Sequence, residues 1–192
     1  MTSLADPCVW RGDSKLILAA YTLLLLRREG RIGRKGLAEL LDVGEATGRT
    51  ILSKLKAAGL ADADRGGAYL TPEGISVSGA LADILEPADV ELPERYGSVT
   101  AGVIVKAMCS SLGSGVAHRD EAVRGGADGA LVLMRRGGRY VFPDGSYEYP
   151  LKVSPDPPDG SCVVAAWAGS GALAINGVMR AAISIICGGR GH

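Results

Sequence analysis

The residues best able to do chemistry lie between Arg31 and Arg65. From Glu45 to Ala58, the residues Gly48, Ile51, Leu52, Leu55 and Ala58 recur at 3- and 4-residue spacing, which predicts a helix with one buried side. That spacing leaves Glu45, Ala46, Thr47, Arg49, Thr50, Ser53, Lys54 and Lys56 facing outward. A guanidinium can bind phosphate or pair with the edge of guanine, hydroxyls reach phosphates and bases, and an ammonium neutralises phosphate. Arg34 and Lys35, at the start of the preceding helix, and Arg65, in a hairpin turn, suit contacts to a nucleic-acid backbone. From Arg31 to Lys56 six basic side chains stand against three acidic ones, a local excess of three. The pattern makes Arg34, Lys35, Thr47, Arg49, Thr50, Ser53, Lys54 and Arg65 candidates for binding a phosphate-bearing partner. Asp62 and Asp64 favour the alternative, a solvated face used only for protein contact.

A second, weaker signal is Gly169-Ser170-Gly171 before an apolar helix, where backbone N–H groups attract anions and Arg180 could add charge. The same glycines also suit tight strand–helix packing. Ser170 lacks the spacing of a nucleophile elbow, and His118 and His192 are the only histidines that could serve it as a base. Asp120, Glu121, Asp128, Asp144, Glu148, Asp156 and Asp159 fall mostly in turns or at helix starts, where carboxylates cap. Cys8, Cys109, Cys162 and Cys187 form no close pair and no zinc spacing, and are expected to be free, mostly core thiols. Neither a catalytic set, a metal site nor a cofactor motif is expected, and the chain is read as not an enzyme.

The elements that must position the first set follow from local grammar. Ser14 is the expected N-cap of a helix over Lys15–Arg28, ended by Gly30. That helix is apolar almost all round, so its excess face should be covered by the C-terminal domain or by another subunit. Gly36–Leu41 forms a short helix, Asp42-Val43-Gly44 a tight turn, and Glu45–Ala58 the third helix, with Gly48 marking a close helix–helix contact. Leu60–Asp64 and Ala68–Thr71 are strands of a hairpin whose Gly66-Gly67 supplies positive φ. Thr71 caps a fourth helix with Pro72 in its first turn, running to about Leu85.

Beyond Glu86 the pattern turns β-rich. Val99–Ala107, Ala130–Arg136, Arg139–Phe142 and Ser161–Trp167 read as strands, Arg119–Arg124 as a short helix and Gly171 to about Cys187 as a long one. The expected fold class is α+β: an N-terminal winged helix-turn-helix, mostly α with a β-hairpin wing, plus a C-terminal two-layer α/β sandwich with a mainly antiparallel sheet. The expected division is residues 1–86, a proline- and acid-rich linker 87–98, and an α+β domain 99–192.

Composition bounds these readings. The 192 residues carry 21 basic and 21 acidic side chains with 47% hydrophobic content, so disorder is excluded and any nucleic-acid site depends on local charge placement. Leu16–Leu26 is too short to span a bilayer, and Asn176 and Arg180 interrupt Gly171–Cys187. The acids before the first apolar run and Arg27-Arg28-Glu29 after it do not suit a signal peptide, so a cytoplasmic protein without membrane attachment is expected.

The segment LAELLDVGEATGRTILSKLKAAGLADADRGGAYLTPEG, residues 37–74, resembles the winged-helix transcription regulators, the broad group with the multiple-antibiotic-resistance and arsenical-repressor types. With RDEAVRGGADGALVLMRRGGRYVFP and the strand–glycine–helix end, nearly the whole chain resembles archaeal winged-helix proteins with an uncharacterised C-terminal domain of GAD-like fold. The resemblance implies that the third helix enters the major groove, and that Arg34, Lys35, Thr47, Arg49, Thr50, Ser53, Lys54 and Arg65 form the duplex-DNA surface. The expected function is a transcription regulator, a homodimer on duplex DNA because a single module with so little net charge would bind weakly, whose C-terminal domain dimerises or senses a small anionic effector. The alternative is a protein–protein adaptor in the transcription or RNA machinery.

Overall fold

The computed structural model describes residues 6–10, 12–92, 96, 99–106, 109 and 112–188. The chain divides into two units, Met1–Asp83 and Ile84–His192.

The first unit starts with a 3-10 turn, Pro7–Trp10, whose Trp10 is buried, and continues into α1 (Ser14–Glu29). The cap of α1 is Asp13, not Ser14: its carboxylate accepts the N–H groups of Lys15 and Leu16 at 2.9 and 3.2 Å. Gly30 at φ 76° ends the helix as expected. Within the unit, α1 packs against the 3-10 turn, α3 (Glu45–Ala57), α4 (Pro72–Ala82) and β2 (Gly67–Leu70), so its broad apolar surface finds cover in its own unit. The short helix α2 (Arg34–Leu41) begins two residues earlier than its apolar pattern indicates and buries Leu37, Ala38 and Leu41. Asp42, at φ 47°, turns the chain into α3.

The hairpin joins β1 (Ala61–Asp64) to β2 through Arg65-Gly66, with Asp64 opposite Gly67. Of the two glycines, Gly67 takes the positive φ, 116°, and a Cβ there would lie 2.9 Å from the Ile32 carbonyl carbon. Ile32 and Ala68 exchange backbone hydrogen bonds at 3.0 and 2.9 Å, an isolated bridge that ties the hairpin to the segment between α1 and α2. The Thr71 hydroxyl donates to Gly59 O at 2.6 Å and accepts the Gly74 N–H at 3.0 Å, tying the third helix's end to the start of α4.

Two glycines that look alike in the sequence differ in what they require. A Cβ at Gly74 would lie 1.8 Å from the Leu60 carbonyl oxygen, whereas a Cβ at Gly48 would meet Ala38 and Arg34 backbone at an ordinary 3.7 Å. The close α2–α3 approach at Gly48 is therefore real but does not demand glycine. Gly74→Ala is expected to cost about 1–3 kcal/mol by overpacking. Gly48→Ala should gain up to about 1 kcal/mol from helix propensity. Denaturant midpoints of the full chain check both. Equal losses at the two sites would contradict this packing.

The second unit is one antiparallel sheet in the order β6-β5-β8-β4-β3-β7, made of β3 (Leu85–Glu91), β4 (Val99–Val105), β5 (Gly129–Arg136), β6 (Arg139–Val141), β7 (Lys152–Ser154) and β8 (Cys162–Ala168). One face carries α5 (Val116–Arg124) and α6 (Gly171–Gly188), which gives the expected two-layer α+β arrangement. On the other face Ala88, Val90, Ile104, Leu133, Val163 and Ala165 pack with Tyr140, Tyr149 and Leu151. The last two belong to the segment that runs from β6 at one edge to β7 at the other.

Two expectations are corrected here. Residues 87–91, read as the start of a linker, belong to strand β3, which pairs with β4 along residues 85–88 and with β7 along 89–91; residues 93–95, 97 and 98 of the linker reading lie outside the described residues. The cysteines are not free thiols: none of the four is unpaired, and Cys109 is bonded to Cys162 across a separation of 53 residues. The helix α6 is long and apolar enough to cross a bilayer, but it is mostly buried within the protein as the core helix on the sheet.

Candidate nucleic-acid interface

The outward residues of α3 divide into two rows. Arg49, Ser53 and Lys56, spaced i, i+4, i+7, face the hairpin, while Thr47, Thr50 and Lys54, spaced i, i+3, i+7, form the other flank. All six are exposed, whereas Gly48, Ile51 and Leu55 are buried beneath them. Between α3, the start of α2 and the hairpin lies a groove of about 510 Å³ bordered by Arg34, Arg49, Ser53, Lys56 and Arg65.

The groove therefore collects Arg34, Arg49, Ser53 and Arg65 of the residues singled out in the sequence. Lys35 lies outside it, 3.9 Å from Glu39 on the exposed side of α2. The Thr50 hydroxyl donates to Ala46 O at 2.9 Å, one turn back in its own helix. Lys54 borders a second, smaller and more apolar depression with Trp10, Leu16 and Leu55. The N-caps of α2 and α3 are Gly33 and Gly44, neither of which supplies a capping side chain, so both helices open with backbone N–H groups not capped from a side chain.

Sequence reasoning missed how the charges pair. Lys56 Nζ lies 2.6 Å from Asp62, and Arg31 Nη1 lies 2.6 Å from Asp64 while its guanidinium stacks 4.7 Å above the Tyr69 ring. Hydrogen bonds from Lys56 and from the Ala63 N–H hold the Asp62 carboxyl below the usual carboxylate range, and Arg31 with the Gly66 N–H does the same for Asp64. Arg34, Arg49, Lys54 and Arg65 make no ion pair among the described residues. The only advance signal was the i, i+2 spacing of Asp62 and Asp64 on a strand, which places both on one side of it.

The second candidate set is not brought together. Ser170 Oγ and Ser170 O accept the N–H groups of Leu173 (3.5 Å) and Ala174 (3.0 Å), so Ser170 caps α6 beside Gly169 and Gly171. Arg180 lies nine residues further along the helix, about 14 Å at 1.5 Å per residue, too far to complete an anion cradle at that turn. It is instead 3.2 Å from Glu121 on α5. Burial pushes the Glu121 carboxyl up, but hydrogen bonds from Arg124 and Arg180 outweigh it and hold it low. His118 does not approach Ser170 through a hydrogen bond: its Nδ1 is 2.5 Å from Ser184 Oγ, which donates to Ala181 O at 3.0 Å, and burial lowers the imidazole pKa. His192 lies outside the described residues. The Asn176 amide donates to Gly125 O, closing the end of α5 against α6.

Comparison with known proteins places these units. Residues 17–76 match the family model described as PH0730-like, N-terminal domain, and residues 96–185 match Domain of unknown function (DUF4443). Among solved structures, the hypothetical protein PH0730 from Pyrococcus horikoshii OT3 is similar to this chain with a TM-score of 0.65 and 26% identity, over 86% of this chain and 90% of that one. No curated protein matches the chain. The expected likeness to archaeal proteins thus extends over most of the chain, with helices and a hairpin in the first part and an antiparallel sheet in the second.

Proposed function

We propose that the N-terminal unit is a winged helix-turn-helix module that binds duplex DNA, and that the protein is a transcription regulator. In this reading α3 is the recognition helix, the β1–β2 hairpin is the wing, and the C-terminal unit provides dimerisation or senses a small anionic effector. The observation that carries it is the groove beside α3, where Arg34, Arg49 and Arg65 converge without ion-pair partners. The order helix, helix, turn, helix, hairpin, helix supports it, as do the two helix starts without side-chain caps, whose N–H groups suit phosphate oxygens. A homodimer joins two half-sites and offsets the small charge of a single module. No step in this role needs a catalytic group.

The test is binding of random-sequence duplex DNA by fluorescence anisotropy at two salt concentrations. With Arg34, Arg49, Lys54 and Arg65 as four phosphate contacts, a fourfold rise in salt should weaken binding roughly 100-fold. Absence of binding at the lower salt would favour the adaptor reading, in which the same face meets a protein.

A further inference from the structure

Strand β1 places Asp62 and Asp64 two residues apart on one side of the hairpin, and both border the groove beside α3. Each carboxylate is fixed from two directions. Asp62 accepts from Lys56 Nζ at 2.6 Å and from the Ala63 N–H at 2.8 Å. Asp64 accepts from Arg31 at 2.6 and 2.7 Å and from the Gly66 N–H at 2.7 Å. Exposed ion pairs are weak, so a phosphate could draw Lys56 or Arg31 away. The backbone amides would still hold the two acids on the groove wall, where they repel that phosphate.

Resting on the duplex-binding reading above, we propose that Asp62 and Asp64 are a built-in counter-charge that lowers the affinity of this site for DNA of arbitrary sequence. They thereby raise the share of binding that depends on base contacts. Non-specific affinity comes from phosphate neutralisation, and each cation withdrawn from it flattens the salt slope by about 0.9 and weakens binding ~8-fold at 0.1 M salt. Contacts from the outer side of α3 to base edges are not subject to that subtraction, so they supply a larger share of the total binding free energy. Arg34, Arg49, Lys54 and Arg65 then form the phosphate-contacting set, with Lys56 and Arg31 held in reserve.

The experiment compares the full chain with Asp62→Asn, Asp64→Asn and the paired Asp62→Asn/Lys56→Gln variant on random-sequence duplex DNA over a salt series. Asparagine keeps an oxygen for the backbone amide, and thermal melting verifies that each variant folds. Each single substitution should steepen the slope by about 0.9 and tighten binding ~8-fold at 0.1 M salt. The paired variant, which removes one charge of each sign, should return to the wild-type slope. Single variants that match wild type, or a paired variant as tight as Asp62→Asn, would overturn the counter-charge. Failure of every protein to bind at low salt would instead overturn the duplex reading on which it stands.

Discussion

Replacing Arg34, Arg49 and Arg65 together by alanine is expected to weaken duplex binding roughly 500-fold at 0.1 M salt, with a slope about 2.7 flatter. The figure follows from three phosphate contacts of about 0.9 each and no loss of folded structure. All three side chains are exposed and border one groove. None is in an ion pair among the described residues, so alanine leaves no buried charge behind. The melting temperature of the triple variant should match wild type. Lys35→Ala, outside the groove and beside Glu39, should change binding far less. A triple variant that binds as tightly as wild type would show that the nucleic acid, if bound, lies elsewhere on the molecule.

Breaking the Cys109–Cys162 bond is expected to have the largest effect on stability. A closed loop spanning a sequence separation of 53 residues restricts the unfolded chain by an amount worth about 4 kcal/mol at 25 °C. Both sulfurs are buried, Cys109 at 5% and Cys162 at 0% exposure, so Cys109→Ala/Cys162→Ala adds no exposed polar group. The double variant should unfold at clearly lower urea, with the sheet unit losing structure first. An unchanged midpoint would mean that the two residues contribute only as small apolar side chains.

Much of the architecture was legible because local rules and tertiary packing agree. The 3- and 4-residue spacing of Ile51, Leu52 and Leu55 marked α3, Thr71-Pro72 marked the start of α4, and the runs Ala130–Arg136 and Arg139–Phe142 marked β5 and β6, whose turn holds Gly137 and Gly138 at positive φ. The N-cap of α1 was misplaced by one residue because Ser14 and Asp13 are both good caps, and only geometry shows which reaches Lys15 and Leu16.

Strand β3 was hidden by Pro87 among acids. Proline is tolerated there because β3 has a single described neighbour along residues 85–88, β7 joining only from Asp89. Glu86 and Glu91, which suggested a solvated linker, are held by Lys106 and Lys152. Strand β7 is only three residues long, too short to show a period. The disulfide could not be seen in the cysteine spacing, because it depends on β4 and β8 lying side by side. That pairing sets Cys162 opposite Val105, four residues before Cys109.

At the candidate site, residue types were readable and their partners were not. The cation count between Arg31 and Lys56 includes two side chains that the fold pairs with Asp64 and Asp62. Such pairs join residues 33 and 6 positions apart, beyond any helical or strand period.

The bridge between Ile32 and Ala68 also bears on how the groove works as an instrument. A lone two-stranded ribbon is marginal in water, whereas this one is tied by the Ile32–Ala68 bridge to the segment between α1 and α2. In the duplex-binding reading, a hairpin held in place before contact loses little ordering entropy on binding, so differences between DNA sequences would be expressed mainly in how long each complex lasts. It also leaves Arg65-Gly66 as the place where residues can be inserted to lengthen the reach of the ribbon, because its footing at Gly67 is occupied by Ile32 backbone and cannot be rebuilt.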